Sequence, residues 1–303
     1  MQTTTSTGRD LPETPRPPET RFGLSCASVT PFDASGRVDV HRLVDHLARC
    51  LAEGCSSATL FGTTGEGASV GLAERERTID AVGARLGAGK LLVGVMANAT
   101  DDAAAQADQL LEAGGRGVLL APPSYFKGVG DEGLFAWFSR ALEAMHAPRG
   151  IFLYHIPSVT AVPLAPALVG RLNDAFPGVI AGVKDSGGEW AYTAALLKAH
   201  ADLHILVGDE RLLARAIRHG GSGAINGFSN FCAPRLAPLV ERGEESPAIN
   251  ALVDLLLEYP VTPGVKALVA HVARDPAFAR VAPPLTDLAA ADAARLVSAF
   301  NAL

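Results

Sequence analysis

From residue 22 onward, short apolar runs alternate with segments that have a helical hydrophobic period, and the spacing between them is steady. Strands are predicted at residues 23–32, 57–62, 90–97, 116–123, 149–157, 178–186, 203–209 and 222–228. Each run leads into a helix-like stretch, such as VDVHRLVDHLARCLAEG or DDAAAQADQLLEAGG. Many of these stretches end at glycine, the preferred residue just past a helix C-terminus. Strands that are apolar throughout, rather than on alternate positions, belong to a parallel sheet covered by helices. Eight such units in about 220 residues predict an α/β chain folded as a closed (β/α)8 barrel. A doubly wound open sheet is the alternative, but no GxGxxG follows the first strand.

After residue 232 the pattern is helical only, through PRLAPLVERG, SPAINALVDLLLEYP, GVKALVAHVA and AADAARLVSAFNAL. The expected organisation is a barrel over residues 22–231 and a C-terminal helical extension over 232–303. Residues 1–21 are rich in proline and threonine and lack any apolar period, so they are expected to form a flexible lead. They lack the apolar core of a secretory signal, and Asp10, Glu13 and Glu19 do not suit a transit peptide.

Composition narrows the partners. The chain is 48% hydrophobic and 19% charged, an ordinary globular balance. A formal net charge of −6 argues against nucleic acid and against an anionic membrane surface. No apolar run is long enough to span a bilayer. The cysteines (Cys26, Cys50, Cys55 and Cys232) form no CxxC pair, and reduced thiols in the cytoplasm are the expected state.

In such barrels the reactive groups sit at the C-terminal ends of the strands. There are five lysines against 21 arginines. Lys90 opens a strand, Lys127 lies in a glycine-rich loop, and Lys198 and Lys266 fall within helices. Lys184, in GVIAGVKDSGG, alone joins an apolar strand to the correct end. An amine kept from water can react as the neutral base and form a Schiff base with a ketone. A lysine paired with Asp185 is an equally good reading of this context. GTTGEG, directly after the second strand, is a loop whose hydroxyls and backbone N–H groups suit a carboxylate or phosphate, although it also serves as a plain strand-to-helix turn. Tyr154, in LYHIPSVTAVPL, is placed to shuttle protons or simply to line the barrel. His155 with Asp185, Asp209 and Glu210 raises a metal-dependent aldolase, but no HxH or HExxH spacing supports a metal site.

Taken together, GTTGE, Y-x-x-P and G-V-K-D-S in this order resemble the dihydrodipicolinate synthase / N-acetylneuraminate lyase family, from about residue 22 to the end and including VAPPLTDL. The resemblance implies a class I, pyruvate-handling lyase on a (β/α)8 barrel, working without a cofactor and commonly as a homotetramer or dimer. Lys184 matches the lysine that forms the imine, and Tyr154 matches the proton-relaying tyrosine. Thr63 and Thr64 match the pair that holds the keto acid's carboxylate, with Thr63 also in the relay and Gly65 beside them. Tyr125 is similar to a tyrosine that reaches a neighbouring subunit's site, and Gly227 lies on the stretch facing the keto acid. One departure separates subfamilies. Synthases carry P-S-R-T-G after the tyrosine, with the arginine binding a second carboxylate, whereas this chain has Pro157-Ser158-Val159-Thr160-Ala161. Valine offers neither charge nor donors. Ser186 and the Asp209–Glu210 pair resemble sialate lyases, where the acidic pair meets sugar hydroxyls. The expected activity is therefore an aldolase or dehydratase on a pyruvate-type 2-keto-3-deoxy acid, with sugar-derived acids among the candidates. The alternatives are 4-hydroxy-tetrahydrodipicolinate synthase and a catalytically idle, keto-acid-binding barrel.

Overall fold

Eight parallel strands close on one another in chain order: β1 (Gly23–Ala27), β2 (Ser57–Leu60), β3 (Leu91–Val95), β4 (Gly117–Leu120), β5 (Ile151–His155), β6 (Ile180–Asp185), β7 (His204–Val207) and β8 (Gly223–Asn226). The computed structural model describes residues 11–303. The outer ring holds α1 (Val40–Ala52), α2 (Leu72–Leu86), α3 (Thr100–Glu112) and α4 (Asp131–Ala144), then a single turn α5 (Pro157–Thr160). It continues with α6 (Pro166–Ala175), α7 (Trp190–Ala199), α8 (Glu210–Arg218) and α9 (Ser229–Arg242). Each strand lies inside the run predicted for it. The longer apolar runs continue past the barrel rim as loops, where no neighbouring strand remains to pair with.

The two-residue period of a strand sorts the side chains. Leu92, Leu119, Phe152, Leu206 and Ile225 point inward and pack together with Tyr154 in the barrel interior. Val93, Val118, Leu153, Val183 and Ile205 point outward and join the helices in the larger core. Because β5 and β6 pair with Tyr154 opposite Lys184, this parity places both side chains inside and side by side. It places His155 and Asp185, the next pair in register, on the outer side.

The appended helices are α10 (Pro247–Leu257), α11 (Val261–Ala273) and α12 (Ala290–Ala302). α10 packs on α8, α11 on α9, and α12 on both α10 and α11. The helix α9 is kinked at Cys232 (φ −147°, ψ 34°) and packs on β1, α1 and α8, in the place of the eighth barrel helix.

The segment expected as a flexible lead differs from that expectation where it can be followed; residues 1–10 lie outside the described residues. Arg16 Nε donates to Gly220 O at 2.8 Å, and its Nη2 reaches Ala201 O and Leu203 O. Arg21 Nη1 donates to Val240 O and Glu241 O in the last turn of α9, both at 2.8 Å. Helix ends expose carbonyls with no partner inside the helix, and a guanidinium satisfies several at once. Arg16→Ala should lower stability by about 1.5–3 kcal/mol, the range for hydrogen bonds from a charged donor, read as a shift in the urea midpoint.

Candidate active site

The GTTGEG loop owes its shape to backbone conformations and close approaches that few residues accept. Phe61 and Glu66 adopt positive φ (56° and 53°), turning the chain sharply at both ends of the loop. A Cβ on Gly67 would lie 1.9 Å from Phe61 O, so only glycine fits there. Arg75, buried in α2, lies over the Phe61 ring at 4.7 Å and donates to Gly94 O at 2.6 Å, which supports the loop from outside. Glu66 N donates to Thr63 O, whereas the N–H groups of Thr64 and Gly65 make no hydrogen bond among the described residues. Free N–H groups beside two threonine hydroxyls give the loop the donors a carboxylate needs.

Behind the loop lies a pair that sequence reasoning missed. Lys266 of α11 meets Glu66 Oε1 at 2.5 Å, with both side chains shut off from water. Lys266 Nζ also donates to Thr30 O at 2.8 Å, and Glu66 Oε2 accepts from Ala282 N at 2.7 Å. Thr30 Oγ1 in turn donates to Gly65 O at 2.6 Å. Burial pulls the Lys266 ammonium below its usual pKa, and the Glu66 carboxylate opposes that shift. The helical extension thus holds the GTTGEG loop from behind.

At the centre, Lys184 Nζ donates to Tyr154 Oη at 3.1 Å and lies 4.3 Å from the centroid of the same ring. Tyr154 Oη is 3.3 Å from Thr63 Oγ1. Lys184 does not pair with Asp185, which faces outward and accepts from Thr193 Oγ1 at 2.6 Å and Gly187 N at 2.9 Å. The paired-lysine reading falls for that reason: adjacent strand residues point to opposite faces. His155 also lies outside the barrel. It accepts from Leu164 N at 3.1 Å and stacks on Tyr192 at 3.8 Å, and burial pulls its pKa down to about 4.

A cavity of about 260 Å³ opens above Lys184 and brings together Thr63, Thr64, Tyr154, Lys184, Ser186 and Gly227. Two expected residues stand apart from it. Gly65 lies beneath the loop, where a Cβ would come within 2.7 Å of Ser28 O. Tyr125 is 76% exposed on the loop after β4, edge to face with Phe126. The acidic pair divides into two roles. Asp209 caps α8 through Arg211 N at 3.0 Å and receives the Arg211 guanidinium on both oxygens. Glu210 lines the cavity and is buried. Burial raises its carboxyl pKa to about 8, and Lys184 only partly opposes this.

That shift has a defined sign. Between the ordinary glutamate pKa of about 4.3 and a folded value near 8, the native state holds a proton that the unfolded state has lost. Stability should therefore decline as pH rises through this window. Glu210→Gln should flatten that slope, with urea midpoints at pH 5, 6.5 and 8 as the measurement.

A buried lysine at the end of the sixth strand, bonded to a tyrosine and facing a loop with free donors, is the arrangement that suits a class I, lysine-dependent lyase on a (β/α)8 barrel. The sequence profile of the Dihydrodipicolinate synthetase family matches residues 21–302, and the chain belongs to that family. It is 32% identical over 289 residues to an uncharacterised DapA-like lyase of Chloroflexus aurantiacus, covering 92% of this chain and 96% of that one. It is 35% identical over 245 residues to the 4-hydroxy-tetrahydrodipicolinate synthase of Synechococcus sp. strain CC9605, covering 78% and 79%. The crystal structure of a dihydrodipicolinate synthase from Agrobacterium tumefaciens strain C58 superposes with a TM-score of 0.91 at 48% identity, over 93% of this chain and 99% of that one.

Proposed function

We propose that the protein joins Lys184 to the keto carbon of a pyruvate-type 2-keto-3-deoxy acid and then cleaves or dehydrates the bound acid. The observation that carries this reading is the contact series from Thr63 through Tyr154 to Lys184 at the floor of the cavity. In the cycle, Nζ attacks C2, Tyr154 passes a proton to the carbinolamine oxygen, and water leaves. The Thr63 and Thr64 hydroxyls and the free Thr64 N–H receive the C1 carboxylate, which fixes C2 over Nζ. The protonated imine is then the electron sink. In cleavage, the C4 hydroxyl gives up its proton, the C3–C4 electron pair enters the enamine, and an aldehyde departs. In dehydration, the same imine loses a C3 proton and a hydroxide instead. Borohydride reduction in the presence of pyruvate should leave a stable adduct on the peptide that contains Lys184; its absence would overturn the Schiff-base reading. Product analysis, pyruvate plus aldehyde against a dehydrated keto acid, separates the two outcomes.

The names of several relatives favour a second reading, 4-hydroxy-tetrahydrodipicolinate synthase. Val159 stands against it, because it is 57% exposed at the mouth of the cavity and offers nothing to a second carboxylate. Rapid turnover of pyruvate with aspartate semialdehyde would reverse that preference. The reading also includes pyruvate as the retained half of the substrate and self-association through the exposed Tyr125–Phe126 pair. The four free, buried cysteines support a reducing compartment, the cytoplasm. No helix among the described residues is long and apolar enough to cross a membrane.

A further inference from the structure

The cavity above Lys184 changes character along its length. Its floor is polar: Thr63, Thr64, Tyr154 and Lys184. Its outer wall is built by Ile156 and Val159 after β5, and by Val253, Leu256, Leu257 and Val261 from the helical extension. Val159, Leu257 and Val261 are 57%, 55% and 47% exposed, so apolar side chains of considerable size stand open to solvent together at one mouth. Scattered exposed apolar residues are ordinary, but several that converge on a cavity beside a reactive lysine mark a surface that a ligand covers.

The charged groups nearest the outer wall that could serve a polyhydroxy chain are mostly engaged with protein partners. Both oxygens of Asp209 receive Arg211, and one of them also caps α8. Arg211 in turn bridges to Asp254 at 2.7 Å, so the guanidinium is held away from a substrate carboxylate as well. Glu210 Oε1 takes Phe228 N at 3.4 Å, and burial keeps its carboxyl mostly protonated at neutral pH. Besides the hydroxyls of Ser158, Ser186 and Thr262, what remains is Asn226 Nδ2, which has no partner among the described residues, and the second oxygen of Glu210, a short set for a chain of hydroxyls.

Resting on the Schiff-base reading above, we infer that the substrate half beyond C4 is apolar, an alkyl or aryl group rather than a polyol chain or a second carboxylate. The substrate class is then a 4-hydroxy-2-keto acid whose cleavage releases pyruvate and an apolar aldehyde. The step balances without any co-reactant. The C4 hydroxyl proton is lost as its oxygen becomes the aldehyde carbonyl, the C3–C4 pair passes into the enamine, and the enamine takes a proton at C3. Hydrolysis of the imine then frees pyruvate and restores the lysine. A polyhydroxy chain against this wall would lose hydrogen bonds to water and find few replacements, whereas an apolar chain gains by leaving water.

The test uses the full chain in the condensation direction, with pyruvate and either benzaldehyde or isobutyraldehyde, compared with glyceraldehyde and succinic semialdehyde. The apolar aldehydes should give kcat/KM at least about tenfold higher, the scale on which apolar pockets discriminate. Leu257→Ser and Val261→Ser lie at partly exposed positions that accept a polar side chain, and together they should reduce that preference about tenfold through KM for the aldehyde. Equal or faster condensation of glyceraldehyde or succinic semialdehyde would overturn the inference. So would an unchanged preference in the variants, or a pyruvate adduct on Lys184 with no condensation of any aldehyde. Absence of the pyruvate adduct itself would instead remove the Schiff-base reading beneath it.

Discussion

Lys184→Met should abolish the borohydride-trapped pyruvate adduct and lower kcat/KM by at least about 10³-fold, some 4 kcal/mol of barrier. Methionine keeps the length and the apolar stem, so the barrel interior should stay packed and the urea midpoint should stay close to that of the wild type. That separation of activity from stability is the informative part. Lys184 makes one side-chain hydrogen bond, to Tyr154, and no ion pair among the described residues. A structural lysine would be expected to cost stability on removal; a nucleophile costs chemistry alone. Tyr154→Phe provides the companion measurement. It retains the ring beneath Lys184 but removes the hydroxyl between Lys184 and Thr63, so imine formation should slow by about 10²–10⁴-fold, the usual contribution of a positioned proton carrier. Retained imine formation with loss of C–C cleavage would move Tyr154 from the first proton transfer to the later one.

Much of this site was legible because barrel architecture ties chemistry to strand ends. The eight apolar runs locate the strands, and once β5 and β6 are in register, parity alone brings Tyr154 and Lys184 together. The tight approach at Gly67 is what a glycine-rich turn announces, whereas the positive φ falls on Phe61 and Glu66, which no glycine marks in the sequence. Other features left no trace in the sequence. Lys266 reads as an unremarkable helix lysine, and its partner Glu66 is 200 residues away. Arg16 and Arg21 bind main-chain carbonyls, which every residue possesses, so nothing in the composition of that segment distinguishes an anchored strap from a loose one. The resemblance to the acidic pair of sialate lyases sets Asp209 toward sugar hydroxyls. Its carboxylate is instead occupied by Arg211 two residues on, a choice between cap and ligand that geometry decides. The apolar outer wall was hidden similarly: Leu257 and Val261 belong to helices whose apolar stripe reads as core, and only the docking of the extension on α8 and α9 brings them to the cavity mouth.

The largest expected loss of stability comes from that same extension. Lys266→Met leaves Glu66 buried with its Oε1 facing an apolar side chain, and breaking one half of a buried ion pair costs about 3–5 kcal/mol. The urea midpoint should fall accordingly. The double variant Lys266→Met, Glu66→Gln should recover part of the loss, because the amide oxygen can still accept from Ala282 N without carrying an unpaired charge. A functional effect should accompany the structural one. Glu66 follows Thr63, Thr64 and Gly65 directly, and the Gly65 carbonyl is tied through Thr30 to Lys266. Releasing that tie loosens the cradle for the keto acid's carboxylate but leaves Lys184 and Tyr154 in place on their strands. At a temperature where the variant remains folded, KM for pyruvate should rise about tenfold while kcat changes much less, a pattern that loss of stability alone would not produce. A fall in kcat with unchanged KM would mean that the ion pair acts on the strands rather than on the loop. A midpoint equal to that of the wild type would mean that the pair adds nothing to the fold.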